Sequence, residues 1–333
     1  MEQRKIWRAG KFSYVTVVPK EWAERVKEGK VIVTQTKYGL VLTPSEIYEH
    51  GRLRMQVKVC DPLELRNDII GAYLNHHDEI EVVFDKPWPK CIEELHRLQT
   101  KLIGLRVGPP SGNTFLVSIS TDPVPVSQLL DIMFDQYSAM YEHNSAILGR
   151  LPISTDESDQ TASIIEASED AIDGYSLLMK RLFNRLLMMP WIAPQMGIED
   201  ITDLEQYSTI NANIERLGDL QCEILEELCR LSEERGEQAR KDIGLAGDPF
   251  VLKEYYDHSH QLVKQAYSGK NDRQKLMAII KTKHQEEGGI EKSVRSLAKT
   301  SSLVCLFYKI HGMRGNATNI AEAWLDMQEP PFQ

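Results

Sequence analysis

The stretch Tyr207-Ser-Thr-Ile-Asn-Ala-Asn-Ile-Glu-Arg-Leu-Gly-Asp-Leu-Gln-Cys-Glu-Ile-Leu-Glu-Glu-Leu228 carries two patterns at once. Tyr207, Ile210, Ile214, Leu217, Ile224 and Leu228 recur at helical spacing, so they form one apolar stripe. Glu215, Asp219, Glu223 and Glu226 recur at four, four and three, so they form an acidic stripe beside it. The same 3.6-residue period runs outward from Val126 to Met327. It predicts six long helices, at about 126–149, 157–189, 201–232, 249–268, 271–298 and 301–328. Ser154-Thr-Asp-Glu157 reads as a capping box, and Pro190, Pro194, Gly244, Gly247 and Pro249 as breakers. Helices of this length with short connections predict a mainly α protein built on an antiparallel six-helix bundle. The bundle domain spans residues 122–333 and divides into two tandem three-helix units near Asp242–Pro249.

The preceding helix carries a second acidic stripe, Glu166, Glu169, Asp170 and Asp173. It runs along the apolar stripe Ile165, Ile172, Tyr175, Met179 and Leu182. Like charges four residues apart are mutually destabilising by a few tenths of a kcal/mol. Two such stripes on neighbouring helices call for a neutralising hard cation held by carboxylate oxygens. The plainer reading is a pair of solvated faces.

Before the bundle the period changes. In residues 1–50, Tyr14–Val18, Val31–Thr34 and Tyr38–Leu42 read as strands around a short helix opening at Pro19. So small a unit cannot bury enough apolar surface alone, which predicts a dimer through it. Its aromatic residues Trp7, Phe12 and Tyr14 read as core. Residues 51–121 alternate strands at Leu53–Val59, Glu79–Phe84 and Thr114–Ile119 with helices at Leu63–Leu74 and Ile92–Ile103, a small α+β domain.

The net charge of −10 is unevenly spread: residues 1–44 hold nine Lys/Arg and four Glu, while the rest holds 30 basic and 45 acidic residues. A basic head suits a polyanion and an acidic body suits cations. No apolar run is long enough to span a bilayer, and Met1–Lys5 opens no secretory signal. Cys60, Cys91, Cys222, Cys229 and Cys305 are an odd number with no CxxC spacing, which implies neither a disulfide framework nor a thiolate zinc site, so a reducing cytoplasm is expected. His76-His77 and His258-Ser-His260 read as surface histidines, and the Met run ending at Trp191 as core or contact surface. No Ser or Cys shows a base and an orienting partner, so no enzyme is expected.

Ile214-Glu-Arg-Leu-Gly-Asp219 resembles the E-R-I-G-D signature of phosphate-uptake regulators of the PhoU family. Asn316-Ala-Thr-Asn-Ile-Ala-Glu322 resembles the stretch that follows that signature, and Glu169-Asp-Ala-Ile-Asp173 the acidic motif on the family's middle helix. The resemblance covers about residues 124–328. Arg4–Trp22 resembles the swapped-hairpin AbrB/SpoVT DNA-binding fold, and such a head on a PhoU-type bundle is similar to archaeal-type phosphate uptake regulators. The resemblance implies a divalent or trivalent metal (Mg, Mn, Ca or Fe) bound through Glu169/Asp173 and Glu215/Asp219, with Glu166 and Asp170 beside them. It implies contact with components of a phosphate ABC transporter. It also implies a homodimeric head that binds double-stranded DNA through Arg4, Lys5, Arg8 and Lys11. In the second repeat His311 and Gly315 stand where the signature has Glu and Asp, so one acidic cluster is expected rather than two. Glu287 and Glu291 keep the carboxylate spacing there. Two rival readings are a dimerisation adaptor that never touches DNA and a metal-dependent phosphoesterase.

Overall fold

In a computed structural model, residues 5–24, 26, 29–44, 53–57, 61–86, 88–236, 250–282 and 301–328 are described. The chain is mainly helical, with small separate β-sheets at its start. Arg4, Cys60, Gly244, Gly247, Pro249, Glu287 and Glu291 lie outside the described residues, as does the whole 283–298 portion of the fifth expected helix.

The head is two antiparallel hairpins that form separate two-stranded sheets. β1 (Ile6–Arg8) pairs with β2 (Tyr14–Thr16). The single helical turn α1 (Lys20–Ala23) follows Pro19, and β3 (Val31–Thr36) then pairs with β4 (Gly39–Pro44). Trp7, Phe12 and Tyr14 are exposed, Phe12 by 88%, so the expectation that they are core fails within one chain. Two two-stranded ribbons have no inner face wide enough to bury an aromatic ring.

The second unit runs β5 (Leu53–Val57), α2 (Pro62–Leu74), β6 (Glu79–Phe84), α3 (Pro89–Lys101), β7 (Leu105–Val107), β8 (Thr114–Ile119). Its sheet has strand order β5-β6-β8-β7, with β5 parallel to β6 and the other pairs antiparallel. The parallel pairing of β5 with β6 needs a crossover that carries the chain back to the same end of the sheet, and α2 supplies it. Asp61 caps α2 by accepting from the Leu63 amide at 2.9 Å, with Pro62 at the first helical position. Ile69, Tyr73, Ile80, Val82, Leu95, Leu98 and Val117 form its own core. Cys91 in that core is disulfide-bonded, which departs from the reading of the cysteines, while Cys222, Cys229 and Cys305 are free. His76 is buried as well, against its reading as a surface residue.

The helical region holds α4 (Val126–Leu148), α5 (Thr155–Met188), α6 (Leu204–Arg235), α7 (Phe250–Ser268), α8 over residues 273–282 and α9 (Ser301–Gln328). The expected capping box is present: the Glu157 amide donates to Ser154 Oγ at 3.3 Å and the Ser154 amide to Glu157 Oε2 at 3.5 Å. α5 ends at Pro190, where 3₁₀ turns (Pro190–Met196) take over. α6 is the hub, packed against α4, α5 and α9, and α7 packs on α4 and α9. The stripe residues Ile165, Ile172, Met179, Leu182, Ile210, Ile214, Leu217, Ile224 and Leu228 are all buried in one hydrophobic core. Gly218 lets α5 and α6 approach closely, since a Cβ there would lie 3.0 Å from Ile172 Cδ1. No helix among the described residues is long and apolar enough to cross a membrane.

α5 also carries the second unit. Arg181, 1% exposed, donates to the Tyr73 carbonyl, to Thr121 Oγ1 at 3.1 Å and to Asp78 at 2.5 Å. Its guanidinium lies 5.0 Å from the Tyr73 ring centroid. Asn184 and Arg185 donate to the carbonyls of Leu74 and Thr121, both at 3.1 Å. Gly174 lets α5 approach α3 closely, because a Cβ there would lie 2.9 Å from the Lys101 carbonyl oxygen at the end of α3.

Candidate functional site

The apolar stripes of α5 and α6 face each other, so the acidic stripes that flank them are drawn to the same seam. The convergence shows in their titration. Burial, then Asp173 and Asp170, with Asp219 across the seam, pushes Glu169 up to about 7. Burial and then Glu215 and Asp219 raise Asp173 from its usual value. Carboxylates that each destabilise the other's charge mark a locus of strong negative potential.

Basic side chains occupy part of it. Lys101, at the end of α3, reaches Asp170 at 2.5 Å and also lowers Glu169 and Asp173. Lys180 on α5 binds Glu215 Oε2 at 2.8 Å. Ser176 Oγ donates to the same oxygen and accepts from Asn211 Nδ2 at 3.1 Å. Arg216 holds Asp219 at 3.3 Å and Glu223 at 2.7 Å, and Lys309 of α9 holds Glu223 at 2.8 Å. Lys101, Lys180 and Lys309 were not singled out from sequence. Lys101 and Lys309 come from distant helices, so no local spacing announces them. Arg216 was visible inside the stripe, three residues before Asp219 and seven before Glu223.

The six expected metal ligands therefore fall into three places. Glu169, Asp173, Glu215 and Asp219 share the seam. Asp170 turns toward Lys101. Glu166 lies one turn away in a cleft of ≈ 340 Å³ with Cys222, Glu226 and Cys229. Burial followed by Glu169 and Asp219 pushes the Cys222 thiol up to about 12, so it is a thiol at neutral pH. The donors are all oxygen, which suits a hard cation. Among the described residues no three His, Cys, Asp or Glu side chains gather closely enough to enclose one as they stand.

Between α7 and α9 the chemistry is different. Tyr255, Phe307 and His311 stack, with ring centroids 5.0 and 6.4 Å apart, and His311 Nδ1 meets the Tyr255 hydroxyl at 2.9 Å. Arg314 lies 4.8 Å from the Tyr255 ring centroid. His260 is buried against Tyr141, 3.7 Å between centroids, and burial lowers it to about 4. It is a neutral core histidine and not the surface residue expected; His258 is exposed.

At the head, Lys5, Arg8 and Lys11 are all exposed. Arg8 is turned onto its own hairpin, donating to the carbonyls of Gly10 at 2.9 Å and Lys11 at 2.8 Å. Lys11 Nζ sits 5.4 Å from the Phe12 ring centroid. The head meets the bundle through Lys37, whose ammonium holds Asp203 at 2.6 Å and whose amide donates to Asp200. Searches against protein-family models, curated proteins and solved structures found no match for this chain.

Proposed function

We propose that this protein is a regulator of phosphate uptake: a cation-binding bundle of two tandem three-helix repeats, joined to a dimeric DNA-binding head of the swapped-hairpin kind. The observation that carries the reading is the meeting of the two acidic stripes across α5 and α6, with Glu169 pushed up to about 7. A bound hard cation would be held by Glu169, Asp173, Glu215 and Asp219 and would remove their mutual repulsion. The protein is then no enzyme; its output is contact with a phosphate ABC transporter on one side and DNA on the other, in the cytoplasm. The exposed head residues Ile6, Tyr14, Val33 and Leu40 support dimerisation, since a second copy would cover them. Its basic excess supports phosphate-backbone contacts, whose affinity falls steeply with salt.

The deciding experiment is elemental analysis of purified wild type beside the Glu215→Ala/Asp219→Ala variant. Metal in the wild type that is lost in the variant is the expected result. Absence of metal from both after reconstitution with Mg, Mn, Ca and Fe would return the stripes to a solvated seam. One observation favours the adaptor reading for the head: Arg8 is engaged by its own turn. A salt-titrated DNA-binding assay separates the two, because an adaptor shows no affinity even at low salt.

A further inference from the structure

A second recess lies at the opposite end of α6 from Glu226, where α6 begins. A cleft of ≈ 620 Å³ opens among residues of α4, the 197–203 segment, α6 and the ends of α7 and α9. Small-molecule sites typically measure roughly 300–1,000 Å³. Its walls include three aromatic rings, Tyr207, Tyr267 and Trp324, and three carboxylates, Asp131, Glu199 and Asp203, against the single base Lys270. Tyr207 and Trp324 meet edge to face with centroids 6.1 Å apart. Tyr267 stacks on Phe134 at 4.2 Å and donates its hydroxyl to Asp131 at 2.5 Å. These contacts hold the rings in place before any ligand arrives. The Trp324 indole N–H has no acceptor among the described residues. Burial, then Asp203 and Glu199, raises the Tyr207 phenol, in keeping with a negative potential at that wall.

Fixed aromatic faces and an excess of carboxylates favour one ligand chemistry, an organic cation. Ring faces attract an ammonium group through their quadrupole, and carboxylates accept its hydrogen bonds. A bare metal ion would leave the aromatic walls unused. The Asp203 carboxylate already serves one ammonium, that of Lys37, at 2.6 and 2.9 Å. Lys37 lies in the turn between β3 and β4 of the head, and the pair is only partly screened, at 24% and 16% side-chain exposure. We propose that this cleft binds a small organic amine, whose ammonium competes with Lys37 for Asp203. Binding there loosens the attachment of the basic head to the bundle, which gives the bundle a route to the head that does not pass through the acidic seam.

The test is calorimetric titration of the full chain with spermidine, and with magnesium at matched ionic strength. Wild type is expected to bind spermidine and not magnesium at this site. Asp203→Asn keeps the shape of the residue before α6 and removes its charge, so affinity should fall about tenfold. Lys37→Met removes the rival cation, so affinity should rise severalfold. The proposal is overturned by any of three results: no spermidine heat up to several millimolar, an unchanged affinity in Asp203→Asn, or an affinity in Lys37→Met that is unchanged or weaker. Denaturant unfolding of each variant shows whether it is folded, and if Asp203→Asn is not, the opposite shift in Lys37→Met decides. The acidic-seam experiment is unaffected by either outcome.

Discussion

The head and the unit that follows it are both small and both mix strands with helix, yet they end in different states. The α+β unit closes a four-stranded sheet under α2 and α3 and buries Ile69, Ile80, Val82 and Val117 almost completely. Among the described residues the head contributes no buried residue, and it leaves Ile6, Tyr14, Val33, Tyr38 and Leu40 exposed. The difference is not composition, since both are rich in β-branched and aromatic residues. It lies in closure. Four strands with two helices make a face and a cover, whereas two-stranded ribbons make neither. The lesson is that an apolar strand is a statement about some core, and only the topology says whether that core lies within one chain.

The two units should part most clearly when core volume is deleted in both. Ile80→Ala should cost about 2–5 kcal/mol in the unfolding of the α+β unit at any protein concentration. Val33→Ala should leave dilute monomer untouched and act only where the head is assembled, so its effect should grow with concentration. Denaturant titrations at two protein concentrations check both; equal, concentration-independent losses would put the head's core inside one chain. Next in size, Arg181→Met removes the tie between α5 and the α+β unit. It takes the guanidinium from the Tyr73 carbonyl, which keeps only the His76 amide at 3.3 Å, and from Thr121 and Asp78, for about 1–3 kcal/mol by the same measurement.

Gly174→Ala should cost about 1–3 kcal/mol, because the new methyl meets the Lys101 carbonyl, which is backbone and cannot swing away. Gly218→Ala meets only the tip of Ile172 and should cost less. The smallest expected effect is electrostatic. Glu169 is raised from 4.5 to about 7 in the folded state, so the folded protein binds the proton more tightly than the unfolded chain between those values. Its contribution to stability is therefore present at low pH and lost as pH rises through about 7. Glu169→Gln should flatten that part of a stability-versus-pH curve; a curve identical to wild type would deny the shift.

Much of the bundle was legible beforehand. The stripe of Ile210, Ile214, Leu217, Ile224 and Leu228 named its own buried face, and Ser154 to Glu157 announced the start of α5. The acidic stripes were legible as faces because helical spacing fixes which residues share a side. The basic partners were not. Lys101 reaches Asp170 across 69 positions and Lys309 reaches Glu223 across 86, distances over which local pattern carries no information. The histidines failed for a related reason: His260 is buried because the aromatic rings of Tyr137 and Tyr141 on another helix close over it.

Periodicity and punctuation in the sequence were enough to say that the chain is mainly helical, where most of its long helices run, which faces are apolar and which acidic, and that charge is divided between a basic head and an acidic body. These follow from local geometry, since 3.6 residues per turn places side chains without reference to the rest of the molecule. It took the folded molecule to show that the α5 and α6 stripes share one seam, that lysines from α3 and α9 enter it, that Arg181 binds the α+β unit to α5, and that Lys37 ties the head to Asp203. Those are encounters between segments far apart in the chain. They are set by which apolar faces pack together, and the charges travel to their partners with the helices that carry them.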